Sequence, residues 1–365
     1  MAEIQTNGKP LVAVAMSGGV DSSVSAALLQ KKGEFQVVGL YMKNTPNFSE
    51  DFLKDCGWHN DRRDAMHVAN NQIGIGFEML DFSREYEEKV FQPMLAEYRA
   101  GRTPNPDVWC NRNIKFGVFK ERVMRELGAE KIATGHYARI SKDEQGYHLL
   151  KARDASKDQS YFLWTLIQDD LLHLLFPVGD YIKETEVREM ARQFGLATAD
   201  KKDSQDLCMV GSLDFKSLLK EFIKEPHRGS AIHVDTGAVL GKHDGLEFYT
   251  IGERSGFGDG KGALYVARKD MVSGDMFVAP EGHSVLFAGS ANIASVNWIS
   301  GAEPEMPFSC DAVVRYHAKP VAAKVTKAAK DAHSVQFAEP QYAVTSGQSL
   351  VLYWGDELIG GGVIQ

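Results

Sequence analysis

Val12-Ala13-Val14-Ala15-Met16-Ser17-Gly18-Gly19-Val20-Asp21-Ser22-Ser23 reads as three pieces in immediate succession: an apolar run, a glycine pair and the start of a helical pattern. Gly18 and Gly19 let the backbone turn sharply and approach a ligand with no Cβ in the way. A helix over residues 21–32 then points unpaired N–H groups at the turn, which makes the segment a cradle for an anion, phosphate first among them. Gly33 closes that helix as a C-cap. An ordinary βα turn capped by Ser or Asp would use similar residues; the apolar strand in front and the amphipathic pattern behind favour the phosphate cradle.

No Gly-Lys-Ser/Thr follows the glycines, so this is not a Walker loop, and the spacing is not that of a G-x-G-x-x-G dinucleotide fingerprint. Working outward, residues up to about 219 alternate between strand and helix patterns: strand over 37–41, helices over 61–73, 85–100 and 113–127, a short strand over 131–134, then helices over 161–175 and 183–194. Such alternation predicts a doubly wound parallel sheet, an α/β fold that binds ligands at the carboxyl ends of its strands. After Pro226 the chain turns to short glycine-rich segments, which predicts a small β-rich middle domain over 220–283. From about residue 284 period-2 runs such as Asp311-Ala312-Val313-Val314-Arg315-Tyr316 dominate, which predicts a C-terminal β-barrel over 284–365.

A chain of 365 residues exceeds one hydrophobic core and fits this three-domain division. Its 44% apolar and 25% charged residues are ordinary for a globular protein, and no apolar run is long enough for a membrane span. Residues 1–8 lack a signal core or an Arg-rich amphipathic pattern, so the cytoplasm is the expected address and no membrane partner is expected. Cys56, Cys110, Cys208 and Cys310 form no C-x-x-C pair and are too scattered for a disulfide framework. A net charge of −8 argues against loose coating of nucleic acid but leaves room for a local basic face. Residues 315–330 are a candidate, with Arg315, Lys319, Lys324, Lys327 and Lys330 and no acidic residue among them, although by itself the stretch reads equally as a solvated barrel face.

Two further motifs carry chemistry. In Gly101-Arg102-Thr103-Pro104-Asn105-Pro106-Asp107-Val108-Trp109-Cys110-Asn111, Asn105 before Pro106 predicts a helix N-cap and puts Asp107 and Cys110 one turn apart. The helix dipole favours the Cys110 thiolate while Asp107 opposes it; read alone, a cysteine here is more often a buried inert thiol. Lys201-Lys202-Asp203-Ser204-Gln205-Asp206-Leu207-Cys208 is a charged segment whose lysines would favour a thiolate that another protein could reach. By itself it is equally a loop cysteine of no consequence. His136, following Gly135, is by itself more often a hydrogen-bonded structural imidazole than a ligand.

SGGVDS resembles the pyrophosphate loop of the ATP pyrophosphatases, which split ATP into AMP and pyrophosphate and pass the adenylyl group to a substrate oxygen. In order along the chain, SGGVDS, GRTPNPDVWCN, ATGHYAR (133–139), KDQSYFL (157–163), KKDSQDLC and GQSLVLY (347–353) together resemble the tRNA-specific 2-thiouridylase family. That resemblance implies the following roles. Ala15, Met16, Ser17, Gly18, Gly19, Val20, Asp21, Ser22, Met42 and Gly135 would bind ATP, accompanied by Mg²⁺ for which Asp21 is the nearest carboxylate, with no protein metal site assigned. Asn105, Pro106 and Asp107 would meet the target base, Asp107 also moving a proton. His136, Lys157, Asp158, Gln159, Arg315, Tyr316 and Gln348 would touch tRNA. Cys208 would carry a persulfide from a sulfur donor, such as a cysteine desulfurase or a relay protein, and Cys110 would release the sulfur by forming a disulfide. Cys56 and Cys310 have no such role. Glu253 and Ser255 depart from the family pattern TIGQRKG, which places the function of the 250–262 loop in question.

The implied chemistry needs these parts. The C2 oxygen of uridine is a poor leaving group, so adenylation of that oxygen must precede attack by sulfur. The expectation is thus an ATP-dependent sulfurtransferase acting on the wobble uridine, position 34, of tRNA. Two rivals stand beside it: an amidotransferase-type synthetase of the same superfamily, which explains neither cysteine motif, and a tRNA-binding relative without turnover. Asp107, Cys110 and Cys208 as iron–sulfur ligands are a further alternative that spacing does not separate from a disulfide cycle.

Overall fold

The computed structural model of the chain describes residues 8–46, 57–202, 215–329 and 331–365. The opening run forms strand β1 (Leu11–Ala15), buried at every position. It pairs in parallel with β2 (Gln36–Lys43) on one side and β4 (Lys131–Ala133) on the other. With β3 (Gly76–Asp81) and β7 (Leu174–Leu175) the sheet order is β3-β2-β1-β4-β7, parallel throughout. Strand order reverses on either side of β1, so the glycine turn leaves the sheet at its topological switch point, where α/β sheets open a crevice.

Helix α1 (Val20–Lys32) follows and ends at Gly33, whose φ of 69° lets its N–H turn back to the Leu29 carbonyl. α1 is less amphipathic than its sequence pattern suggests. Ser22, Ser23 and Ser25 are buried beside Val24, Ala26 and Ala27, because Val187 and Ala191 of the 183–193 helix pack into the same core. The buried hydroxyls find backbone partners: Ser23 donates to the Gly19 carbonyl at 2.8 Å and Ser25 to that of Thr134 at 3.4 Å.

Trp58–His67 and Val68–Ile73 form one continuous helix, and 83–99 forms another. The helix expected over 113–127 starts earlier, at Pro106, because Asn105 caps it by accepting from the Val108 N–H. It changes pitch over Cys110–Phe119 and is broken at Gly117, where ψ is −109°.

The helix expected over 161–175 is a correction. Only a 3₁₀ turn at Ser160–Leu163 and a short helix at Gln168–His173 form there, followed by edge strand β7. Long-range anchors override the helical pattern: the Tyr161 hydroxyl donates to the Ser349 carbonyl, the Trp164 indole to the Ser349 hydroxyl, and Asn297 to the carbonyls of Trp164 and Leu166.

A hairpin of β5 (Ala138–Asp143) and β6 (Gly146–Lys151) leaves the first α/β unit and joins the C-terminal sheet. Its partner there is β18 (Glu357–Ile364), and the carboxylate of Glu357 grips the His148 imidazole at 2.7 Å. The middle unit is a five-stranded sheet of β8 (Gly229–His233), β9 (Val239–His243), β10 (Arg254–Gly258), β11 (Ala263–Lys269) and β12 (Met276–Pro280), in the order β10-β11-β12-β8-β9. The C-terminal unit closes six strands into a barrel: β13 (Phe287–Trp298), β16 (Ala332–Tyr342), β15 (Val321–Ala329), β14 (Phe308–Val313), β17 (Ser349–Trp354) and β18, the last pairing back to β13. Closure removes the exposed strand edges that an open sheet leaves. One apolar core runs from the sheet through Trp164 to Val313, Tyr353 and Leu358 of the barrel, so these two units are packed as one body. No described helix is long and apolar enough to cross a membrane.

Candidate functional site

At the end of β1, Met16 extends the ladder by donating to the Leu40 carbonyl at 2.8 Å, and the chain then turns through Gly18 at φ +80°. A Cβ on Gly18 would be strained at that φ and would run into the Asp61 carbonyl. Ser22 accepts from the Ser17 N–H at 3.2 Å and fixes the width of the turn. No side chain caps α1 at Gly19. The first-turn N–H groups, with the positive end of the helix dipole behind them, therefore face the turn and suit a phosphate chain. Met42, two residues past the register partner of Ala15, stands at the same sheet edge. Gly135 closes the opposite side: a Cβ there would lie 2.7 Å from the Ser22 nitrogen.

Asp21 does not present a vacant carboxylate. The Tyr137 hydroxyl donates to one oxygen at 2.7 Å and the Lys183 ammonium holds the other at 2.8 Å, with Lys183 only 5% exposed. These two bonds tie α1 to the loop after β4 and to the 183–193 helix. Among the described residues no group of three or more His, Cys, Asp or Glu side chains is placed to hold a metal ion.

Tyr137 links the turn to the KDQSYFL segment. Gln159 accepts from the Tyr137 N–H through its side chain and donates to the Tyr137 carbonyl through its backbone. Asp158 accepts from the N–H groups of Ala152 and Ser160 and from the Ser160 hydroxyl, and burial raises its pKa despite those bonds. The Asp158 carboxylate and the Gln159 side-chain carbonyl are thus committed to local order. Lys157 donates its backbone N–H to the Asp154 carbonyl.

The second wall is the 101–110 loop, gripped from the barrel. Gln348 donates to the carbonyls of Thr103 and Pro104, and the Thr103 N–H donates to the Ser346 carbonyl. Asn105 and Pro106 are buried. Burial raises the Asp107 pKa, with the charge of Lys115 pulling it down. Tyr316 lies against Phe162 and Tyr161, and burial together with the charges of Asp158 and Asp107 pushes its hydroxyl up to about 12. Arg315 donates to the Ile251 carbonyl of the middle unit at 3.1 Å.

His136 shares its Nδ1 with the Thr134 hydroxyl at 2.7 Å and lies between Phe116 and Phe176. Burial and the nearby Lys115 hold its pKa well below the usual value, so the imidazole is neutral at pH 7. Cys110 is 1% exposed, inside the main apolar core with Val108 and Ile114. Cys208 lies outside the described residues, as do Cys56 and Lys330. Cys310 is buried with its thiol pushed up to about 12. Of the basic stretch, Lys327 is neutralised by Glu303, while Lys319 and Lys324 are exposed.

The structure thus brings residues 15–22, 42, 135 and 136 to one crevice, and 105–107, 316 and 348 to the loop beside it. Sequence reasoning missed Lys115, Tyr137 and Lys183. Lys115 was within reach: with Asp107 and Asn111 it follows an i, i+4, i+8 helical spacing. The divergent loop is held by the barrel, where the Tyr342 hydroxyl donates to the Gly252 carbonyl. Glu253 is raised by burial among Lys216, Lys269 and Arg315, and Ser255 is buried and accepts from the Phe257 N–H.

Three family profiles match the chain: "tRNA methyl transferase HUP domain" over residues 10–212, "tRNA methyl transferase PRC-barrel domain" over 216–280 and "Aminomethyltransferase beta-barrel domain" over 290–364. The chain is 45% identical over 362 residues to the tRNA-specific 2-thiouridylase MnmA of Cupriavidus taiwanensis, covering 97% of this chain and 98% of that protein. It is 45% identical over 367 residues to the enzyme of the same name from Cupriavidus metallidurans, covering 98% of this chain and 100% of that one. For that of Histophilus somni the identity is 44% over 371 residues, covering 100% and 95%.

Proposed function

This chain belongs to the tRNA-specific 2-thiouridylase family, and we propose that it is an ATP-dependent sulfurtransferase that replaces the C2 oxygen of the wobble uridine, position 34 of tRNA, with sulfur. The observation that carries the reading is the pairing of an uncapped α1 N-terminus at the β1/β4 switch point with the Asp107 loop locked beside it by Gln348. One wall suits the triphosphate and the other a base.

In this reading the 17–22 turn binds the ATP phosphates through backbone N–H groups, and the uridine O2 attacks the α-phosphorus as pyrophosphate leaves. Asp107, with its raised pKa, takes or returns a proton at the base. The terminal sulfur of a Cys208 persulfide, loaded by an external donor, attacks C2 and AMP departs with the former O2. The Cys110 thiolate then attacks the Cys208 sulfur, forming a Cys110–Cys208 disulfide and leaving the second sulfur on the base. A two-electron thiol reductant resets the cysteines. Because Cys110 is covered in this state, sulfur release requires that its cover shift when tRNA binds.

The test is a reaction containing unmodified tRNA, ATP and a persulfide donor, with AMP and 2-thiouridine quantified by mass spectrometry. Wild type should form both in equal amounts, Cys208→Ser should form AMP only, and Cys110→Ala should load persulfide and release AMP but stop at a Cys208–S–S–tRNA adduct without free product. Thiolation that requires bound iron, or that survives in Cys208→Ser, would defeat the reading.

A further inference from the structure

Residues 250–253 form the turn on which the middle unit meets the barrel. From the barrel side the Arg315 guanidinium donates to the Ile251 carbonyl at 3.1 Å and the Tyr342 hydroxyl to the Gly252 carbonyl at 2.7 Å. The turn closes on itself through the Glu253 N–H, which donates to the Thr250 carbonyl at 3.2 Å, and a Cβ on Gly252, at φ +85°, would run into Ala343. Inside the middle unit the Lys269 ammonium donates to the Tyr249 carbonyl at 2.8 Å, and the Lys216 ammonium lies 4.0 Å from the centre of the Tyr249 ring. Three cations from three elements thus converge on one turn, and the carboxylate they share is that of Glu253, half-buried among them.

We propose that Glu253 is an internal competitor of RNA phosphate for Arg315: standing two residues past the Ile251 carbonyl, its carboxylate keeps the guanidinium on that seat and lowers the affinity with which the barrel holds tRNA. The inference rests on the tRNA reading proposed above, and it gives the 250–262 loop a role in that reading.

Three physical points support it. Lys269 and Lys216 are both engaged with Tyr249 inside the middle unit, whereas Arg315 comes from the barrel beside Tyr316, whose ring lies 4.4 Å from that of Phe162. A backbone carbonyl is a neutral acceptor, so a guanidinium gains by exchanging it for a phosphate. A carboxylate beside the seat opposes that exchange twice, by attracting the guanidinium and by repelling the phosphate.

The departure from the family pattern also changes charge rather than shape. Glutamine, which TIGQRKG has at this position, matches glutamate in size and lacks its charge. Burial raises the Glu253 pKa, and the charges of Lys216, Lys269 and Arg315 draw it back.

The experiment measures the affinity of an unmodified tRNA transcript for wild type, Glu253→Gln, Arg315→Gln, the double variant and Tyr342→Phe, at about pH 8 so that the carboxylate is charged, over about 50–200 mM salt. Glu253→Gln should tighten binding about fivefold. It should also steepen the fall of log affinity with log salt by up to about 0.7, the share of one phosphate on a single strand. In the Arg315→Gln background the same change should alter affinity by less than about twofold, because the group competed for is gone. Tyr342→Phe loosens the same turn without altering its charge and should not tighten binding. Equal tightening in both backgrounds, unchanged or weaker binding by Glu253→Gln, or tightening by Tyr342→Phe would overturn the inference. Wild type that binds tRNA but forms no 2-thiouridine removes the sulfurtransferase reading and leaves the competition at Arg315 standing; wild type that binds no tRNA removes both.

Discussion

The side-chain amide of Gln348 lies 3.0 Å from the carbonyl of Thr103 and joins parts of the chain 245 positions apart. It also donates to Pro104, at 3.1 Å. A glutamine assigned to tRNA contact by resemblance thus already has work in the free protein, where it sets the height of the loop that presents Asn105 and Asp107.

Gln348→Ala should therefore act on catalysis as well as on RNA affinity. Two net hydrogen bonds of about 1 kcal/mol each hold the loop, so thiolation at saturating tRNA should fall by up to roughly thirtyfold while persulfide loading is unchanged. Single-turnover kinetics at two tRNA concentrations check this. A pure affinity defect, with full activity at saturation, would assign Gln348 to RNA alone.

Asp107→Asn should lower thiolation by about 10²–10⁴-fold, the range of a lost proton-transfer group, and should at the same time raise the melting temperature at pH 7. Burial raises the folded-state pKa of Asp107, so its charge costs stability at neutral pH. That cost disappears below the unfolded pKa of about 3.9, and the stability gain of the variant should vanish there as well. Thermal melts at pH 7 and at about pH 3.5 decide the matter.

Lys183→Met removes the ammonium from Asp21, keeps the Tyr137 hydroxyl bond and sets an apolar stem beside the carboxylate, and should cost about 3 kcal/mol. The double variant Lys183→Met/Asp21→Asn removes both charges and should recover most of that loss. If Asp21 serves to hold α1 in place, AMP formation should recover along with stability. Denaturant titrations paired with AMP release test the coupling.

His148 supplies a second pH dependence of the same sign, in a higher pH window. It bridges Glu357 at 2.7 Å and Asp143 at 2.9 Å, and these carboxylates raise its pKa. Its contribution to joining β6 and β18 should be complete below about pH 6.5, the unfolded value, and lost as pH rises through the folded one. The melting-temperature advantage of wild type over His148→Gln should be present at about pH 5.5 and gone by about pH 9.

What the sequence determined by itself was whatever depends on neighbours along the chain. The glycine turn between β1 and α1, the Asn105-Pro106 cap, the parallel sheet and the change to period-2 strands all follow from local sterics and side-chain period, which a sequence displays directly. The order of six motifs likewise carried the family. The tertiary structure decided everything that depends on partners distant in sequence. Residues 161–175 abandon a helical pattern because Ser349 and Asn297 offer buried hydrogen bonds that a continuous helix would forfeit. The 138–151 hairpin crosses into the barrel sheet because β18 has ladder groups to pair with β6. Asp21 reads as an unpartnered carboxylate at a helix start until Tyr137 and Lys183, 116 and 162 positions away, each bond one of its oxygens. Those contacts are set by packing and electrostatics in three dimensions, where no periodicity in one dimension records them.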